Sequence, residues 1–214
     1  MKKIIVSALA ASMMLLGTSA FAQVSVGAGY LNSTSKVTYG SSQSSTPMNG
    51  FYAGLGYDIE EGSGLGVSVG AYYSYIMNNS SASTSILGIS VSGTSKVEEM
   101  YLDIPVNLKF STALGSGVKA FIFAGPTFSY GISSTTDSEA SIAGLSLGNS
   151  GKYDNYSGGD YGRFDILVGG GLGIDYGSIR FKVGYNVGML NRLGDDSSYK
   201  QTRNVLQAGI AFLF

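Results

Sequence analysis

The 214-residue chain contains no cysteine, no histidine and no tryptophan. Without cysteine there is no disulfide framework to hold an exported fold together. Without cysteine and histidine there is no histidine-dependent catalytic triad and no Cys/His metal site. Proline is scarce at 3 residues, and charged residues make up only 13%, about half the share of a typical soluble domain. The formal net charge of −1 excludes a basic nucleic-acid binder. Long apolar runs are missing too: beyond the first 22 residues nothing approaches the roughly 20 that a membrane-crossing helix needs. What is present is 32 glycines, 15 tyrosines and 44% hydrophobic residues. Many short strands account for that mixture better than helices do.

Residues 1–22 read as a secretory signal peptide. Lys2 and Lys3 form its charged end, Ile4 to Leu16 its apolar middle, and Ala20-Phe21-Ala22 a small-x-small cleavage site. Cleavage would leave residues 23–214, about 190 residues, the size of one domain. The 11 remaining Lys and Arg against 14 Asp and Glu then give a net charge of −3.

Alternation of period two runs through the rest, the mark of β-strands with one set of side chains on each face. It is plainest in the closing stretch, Gln201 to Phe214. There Leu206, Ala208, Ile210, Phe212 and Phe214 oppose Arg203, Val205, Gln207, Gly209, Ala211 and Leu213. Seven further strands are predicted at about 24–31, 50–58, 65–77, 97–110, 118–132, 163–176 and 179–191. The connections between them alternate short and long, and one or two segments of the longest, which runs to about Gly162, are expected to extend the strands beyond the membrane. Asp58, Glu99, Asp103, Lys109, Lys119, Arg163, Asp165, Asp175, Arg180, Lys182 and Arg203 all fall on the less apolar parity. Only Glu98, at one strand end, falls on the greasy one. A soluble sandwich has no reason for such strictness, and a soluble barrel would place its charges outside. A Lys or Arg facing hydrocarbon costs about 2–4 kcal/mol, so lipid supplies the reason. The expectation is an all-β fold: an eight-stranded antiparallel up-and-down transmembrane β-barrel with short periplasmic turns and long extracellular loops.

Eight strands leave a lumen that side chains can fill. The inward charges therefore predict a plug built as a lumen charge network of Glu99, Asp103, Lys109, Lys119, Arg163, Asp165, Asp175, Arg180, Lys182 and Arg203. The alternative is a narrow ion path lined by the same groups. Glu99, Arg163, Asp165 and Arg203 are expected near the outer mouth, Lys109, Lys119, Asp175, Arg180, Lys182 and Asp58 near the other end. Gly177-Ser178 reads as a two-residue hairpin turn that sets Asp175 opposite Arg180. Glu99 with Asp165 is the one candidate carboxylate pair, more simply read as ion-paired wall. Two aromatic girdles are expected, Tyr30, Tyr73, Tyr75, Phe128, Tyr130 and Phe164 above, Tyr57, Phe110, Tyr176, Phe212 and Phe214 below. Pro105 and Pro126 fall inside strands, where each deletes a ladder hydrogen bond, and bulges are predicted at both.

Those prolines carry a resemblance. Tyr101-Leu102-Asp103-Ile104-Pro105-Val106-Asn107-Leu108-Lys109 resembles the "YLxIP…LK" strand of a family of outer-membrane β-barrel domains, the porin-family or PorT-like small barrels. Ala124-Gly125-Pro126 resembles that family's "GP" element, and Gly50-Phe51-Tyr52-Ala53-Gly54-Leu55 its early "GFxxGL" strand. Gly171-Leu172-Gly173-Ile174 and Tyr185-Asn186-Val187-Gly188-Met189 resemble later strands. The resemblance implies the outer membrane of a Gram-negative cell. It implies no catalytic site and no cofactor. Phe212 and Phe214 resemble the C-terminal assembly signal of such proteins. That implies barrel-assembly machinery and periplasmic chaperones as partners during biogenesis, then outer-membrane lipid and lipopolysaccharide. The Ser/Thr/Gly-rich loops above a filled barrel point to a structural or surface-interaction role; a minor porin or small-solute channel is the alternative. The surface ligand is left open.

Overall fold

The computed structural model describes residues 21–86, 89–142, 145–146, 151–158, 161–194 and 198–214. The expected signal peptide lies outside them as far as residue 20. Ten strands follow in chain order: β1 (Phe21–Tyr39), β2 (Ser42–Glu60), β3 (Leu65–Ile86), β4 (Ile89–Gly115), β5 (Val118–Ile142), β6 (Leu145–Ser146), β7 (Gly151–Asp154), β8 (Phe164–Tyr176), β9 (Ile179–Gly188) and β10 (Tyr199–Leu213). Neighbours run β4-β3-β2-β1-β10-β9-β8-β5, and β4 pairs with β5 to close the ring. The wall is thus an antiparallel cylinder of eight strands with no free edge around its closed part. The short β6 and β7 pair with the upper part of β5. The closing seam runs from Ser25↔Leu213 to Tyr39↔Tyr199.

Tight turns lie at one end of the cylinder. Gly64, Gly117 and Gly177 within them take φ of +85°, +79° and +57°, a region that glycine enters without steric cost.

Period two sorts the side chains. Leu108 is 66% exposed and its neighbour Lys109 3%. Within the lower, closed part of the wall the exposed apolar set follows the apolar parity read from the sequence, from Val24 and Val26 round to Ile210 and Phe212. Inside, glycines make room for rings: a Cβ on Gly171 would lie 2.6 Å from Phe123, and one on Gly173 2.3 Å from Phe121.

Two expectations are corrected. Neither Pro105 nor Pro126 makes a bulge. The β4–β5 ladder is interrupted between Pro105↔Thr127 and Leu108↔Ala124, and the β3–β4 ladder between Val69↔Val106 and Tyr72↔Asp103, but both resume in the same register. A missing donor removes pairs without adding a residue. Gly125, beside Pro126, sits where β4 presses close: a Cβ there would lie 2.1 Å from the Val106 carbonyl oxygen. The β4–β5 register shifts at two other places: higher, where Met100↔Ser133 is followed by Tyr101↔Gly131 and Ile132 is the extra residue, and at the lower turn, where Ala113↔Lys119 is followed by Gly115↔Val118.

The second correction concerns length. The segments before Met48 and from Asn78 to Lys96, read as loops, continue as strands, and β5 runs on to Ile142 in the connection where extension was expected. β3 and β4 pair as far as Ile86↔Ile89, and β4 and β5 as far as Val91↔Ile142. β2 leaves β3 after Asn49↔Met77, so the β3–β4–β5 extension rises beyond the closed ring. Its register shows which face each charge takes. Lys96 and Glu98 continue the parity of Leu102, the belt side. Lys96 lies opposite Asp137 and Thr94 opposite Glu139, while Lys152 and Asp154 on β7 oppose Asp137 and Thr135. At the seam, Lys36 and Lys200 continue the parity of Tyr30 and Leu206. All these ionised groups are therefore on the belt side.

Candidate functional site

Two layers of charged side chains cross the lumen. The lower one is built on Asp58 of β2. Its Oδ2 accepts from Lys109 Nζ at 2.8 Å and Arg180 Nη1 at 2.6 Å. Arg180 also donates to both oxygens of Asp175, Nε to Oδ1 at 2.7 Å and Nη2 to Oδ2 at 2.8 Å. The two residues face each other across the β8–β9 hairpin. Glu60, at the end of β2, takes Lys119 at 2.8 Å and Lys109 at 3.5 Å. Forked guanidinium–carboxylate bonds of this kind are the strongest protein hydrogen bonds and fix geometry. Lys109 and Arg180 also lie over the Phe121 ring, each at 4.8 Å.

Above this layer the lumen is aromatic. Tyr52 and Tyr72 meet edge to face at 5.6 Å, and Lys182 sits over Tyr72 at 4.6 Å and donates to its hydroxyl at 3.4 Å. Two hollows here measure about 40 and 30 Å³, each with room for a few water molecules.

The upper layer stacks Arg203 on the Tyr101 ring at 3.8 Å. Arg203 donates to Ser129 Oγ at 2.7 Å and lies 3.5 Å from Asp103 and 3.9 Å from Asp165. Asp103 accepts from Ser74 at 2.6 Å and Ser129 at 2.5 Å. Glu99 accepts from Tyr101 at 2.6 Å, Ser134 at 3.1 Å and Tyr161 at 3.3 Å, and faces Arg192 at 3.6 Å. Arg192 is 1% exposed and covers the Tyr161 ring at 4.4 Å. Burial works against its charge, yet Tyr101, Glu99 and the neighbouring tyrosines hold its pKa well above the usual value. Burial, and then Glu99, raise the pKa of Tyr161, which keeps its phenol a donor.

Nine of the ten charged residues proposed from the sequence face the lumen beside these partners. Arg163 does not join them. Its guanidinium donates to the carbonyls of Gly131 at 3.2 Å and Ile132 at 3.1 Å, and lies over the Tyr156 ring at 4.2 Å. Both carbonyls belong to the stretch of β5 where the register with β4 shifts. Glu99 and Asp165 lean on separate arginines, Arg192 and Arg203. Sequence reasoning missed Arg192 and Glu60. Both lie in connecting segments or at a strand end, where no alternation marks them. The only signal for Arg192 is a lone cation in Asn191-Arg192-Leu193-Gly194. Among the described residues no group of three or more His, Cys, Asp or Glu could hold a metal ion.

Above the upper layer opens a hollow of about 480 Å³. Its walls include Ser35, Thr46, Thr136, Asn155, Tyr153 and Gln201, and Tyr161 and Glu99 lie at its base. Gln201 Nε2 donates to Ser35 Oγ at 2.8 Å and Tyr161 Oη at 3.2 Å. Asn155 Nδ2 donates to Ser134 at 2.9 Å and Thr136 at 3.1 Å.

An antiparallel cylinder with an oily exterior, ionised interior, tight turns at one end and extended hairpins at the other is a transmembrane β-barrel of the bacterial outer-membrane type. The chain belongs to the outer membrane protein beta-barrel domain family, whose profile matches residues 16–210, and its place is the cell outer membrane. Solved structures similar to it include Ail, the attachment invasion locus protein of Yersinia pestis, in complex with the heparin analogue sucrose octasulfate (15% identity over 90% of this chain and 99% of that one, TM-score 0.42). Neisserial surface protein A is also similar (12% identity, 91% and 99% covered, TM-score 0.40). So is the outer membrane protein OprG from Pseudomonas aeruginosa (11%, 93% and 98%, TM-score 0.41). The comparison with curated proteins finds no match.

Proposed function

We propose that this is a small structural and surface-interaction barrel, closed to solutes, that acts through the polar surface its extended hairpins raise outside the cell. The observation that carries this reading is the pair of ion-paired layers, Asp58–Lys109–Arg180–Asp175 below and Arg203–Tyr101–Glu99–Arg192 above. A solute crossing the lumen would have to part both, and parting a buried ion pair leaves desolvated charges behind. No turnover is assigned: Asp58, Glu99, Asp103 and Asp175 are each held by cations or hydroxyls, and Asp165 stands alone, 3.9 Å from Arg203. Outer-membrane lipid and lipopolysaccharide surround the belt, and Phe212 and Phe214 present the assembly machinery with its signal.

Planar-bilayer recording on the refolded protein tests the closed lumen. The expected record is flat. Steady conductance steps of defined size would replace this reading with that of a minor porin or small-solute channel.

A further inference from the structure

The hollow at the outer mouth has a chemistry unlike the lumen beneath it. Its walls carry hydroxyl, amide and phenol groups and a few apolar side chains, with Tyr153 presenting a ring that is 58% exposed. Among the described residues that line it one is ionised, Glu99, which is 3% exposed and faces Arg192 from below. The wall continues upward on the lumen-side face of the β3–β4–β5 extension. The ladder puts Val97 beside Thr136, Ser95 beside Ser138, Gly93 beside Ala140 and Val91 beside Ile142 there. Tyr153 lies opposite Thr136, so β7 extends the same face. Every described ionised side chain on the extension and the upper seam takes the other face. Arg163, at the rim, is held by the Gly131 and Ile132 carbonyls.

Among the described residues no free counter-ion faces this hollow, so a charged ligand would lose its hydration there unpaired, and desolvating an unpaired charge is costly. Hydroxyls and carboxamides donate and accept at once, which suits a partner whose own groups do both. An exposed phenol ring suits the apolar face of a pyranose. At about 480 Å³ the hollow falls within the roughly 300–1,000 Å³ span of ligand clefts. We propose that the outer-mouth hollow and the uncharged face above it bind the end of a neutral glycan chain. This rests on the surface-interaction reading and names the ligand class for it.

The test applies the protein, held in lipid nanodiscs, to an array of neutral, sialylated and sulfated glycans, followed by titration with maltohexaose and chitohexaose. The expected result is retention on neutral glycans. Tyr153→Ala, which removes the ring, and Val37→Asp, which puts a carboxylate in the wall that Val37 also lines, should each weaken binding about tenfold or more, the size of one aromatic contact or one misplaced charge. Glu139→Ala, on the opposite face, should leave affinity unchanged. Heat-modified gel migration confirms that each variant is folded. Retention only on sialylated or sulfated glycans would overturn the inference and leave the surface-interaction reading standing. Retention on none, or neutral binding untouched in both wall variants, would overturn it whatever the bilayer recording shows. Conductance steps alone would strike the closed-barrel reading.

Discussion

The lower barrel and the extension above it obey opposite rules with the same strands. Below Glu99 the ionised side chains face inward: Lys109 on β4, Arg180 and Lys182 on β9, Arg203 on β10. Above it the lumen-side face carries none among the described strand residues, and Lys36, Lys96, Glu98, Asp137, Glu139 and Lys200 lie on the belt side. On β4 the change falls between two adjacent residues. Glu99 meets Arg192 inside, while Glu98 accepts from Tyr75 Oη at 2.5 Å outside and pairs with Lys96 at 3.0 Å. Backbone and parity do not change there; the solvent does. Hydrocarbon excludes charge from the belt, and the ions crowd the lumen. Water admits charge on the belt side, and the inner face is released for small and apolar groups.

Removing a charge on either side of that boundary should give the widest contrast. Arg180→Ala strands Asp175 and leaves Asp58 with Lys109 alone in the lower layer, and should cost about 3–5 kcal/mol in urea unfolding from lipid vesicles. Lys96→Ala breaks an exposed pair and should cost at most about 1 kcal/mol in the same assay. Adding a charge on one parity comes next. Ile104→Arg, midway down the belt face of β4, should cost about 2–4 kcal/mol. Ser92→Arg, the same parity on the extension, should stay within about 0.5 kcal/mol. Equal costs for those two would erase the boundary. Phe214→Ala, at the lower rim, should reduce the heat-modifiable fraction recovered from cell outer membranes several-fold, with little change in urea stability. The smallest effect is expected from Pro105→Ala. The recovered N–H bond, worth about 0.5–1.5 kcal/mol, is offset by the looser unfolded chain at about 0.4–1 kcal/mol.

Wherever lipid imposes alternation, the sequence was readable. The strands around Leu102, Ile122, Leu172 and Val183 show their outer face in the sequence because only lipid demands an unbroken oily parity. The hairpin at Gly177-Ser178 was legible for a local reason, since glycine in the turn fixes Asp175 opposite Arg180. The extension was not. In Asn78-Asn79-Ser80-Ser81-Ala82-Ser83-Thr84 neither face must be apolar, so nothing separates a strand from a loop. The same gap hid the outer-mouth hollow, whose walls are assembled from such segments. Arg192 escaped for a different reason: its burial depends on Tyr101, Tyr161 and Glu99, which reach it from elsewhere in the chain. The misjudged prolines show that losing a donor is a smaller event than inserting a residue.

Because the chain has no native cysteine, single cysteines can be placed along β4 from Ser92 to Phe110 and spin-labelled in lipid bilayers. Collision with oxygen and with a water-soluble nickel chelate then reports which medium each face meets. The account predicts that labels at Met100, Leu102, Ile104, Val106 and Leu108 meet oxygen and not nickel. Labels at Ser92, Thr94 and Lys96, on the same parity, should meet nickel, with the change at Glu98. Nickel reaching Leu102 to Leu108, or oxygen dominating at Thr94 and Lys96, would contradict it.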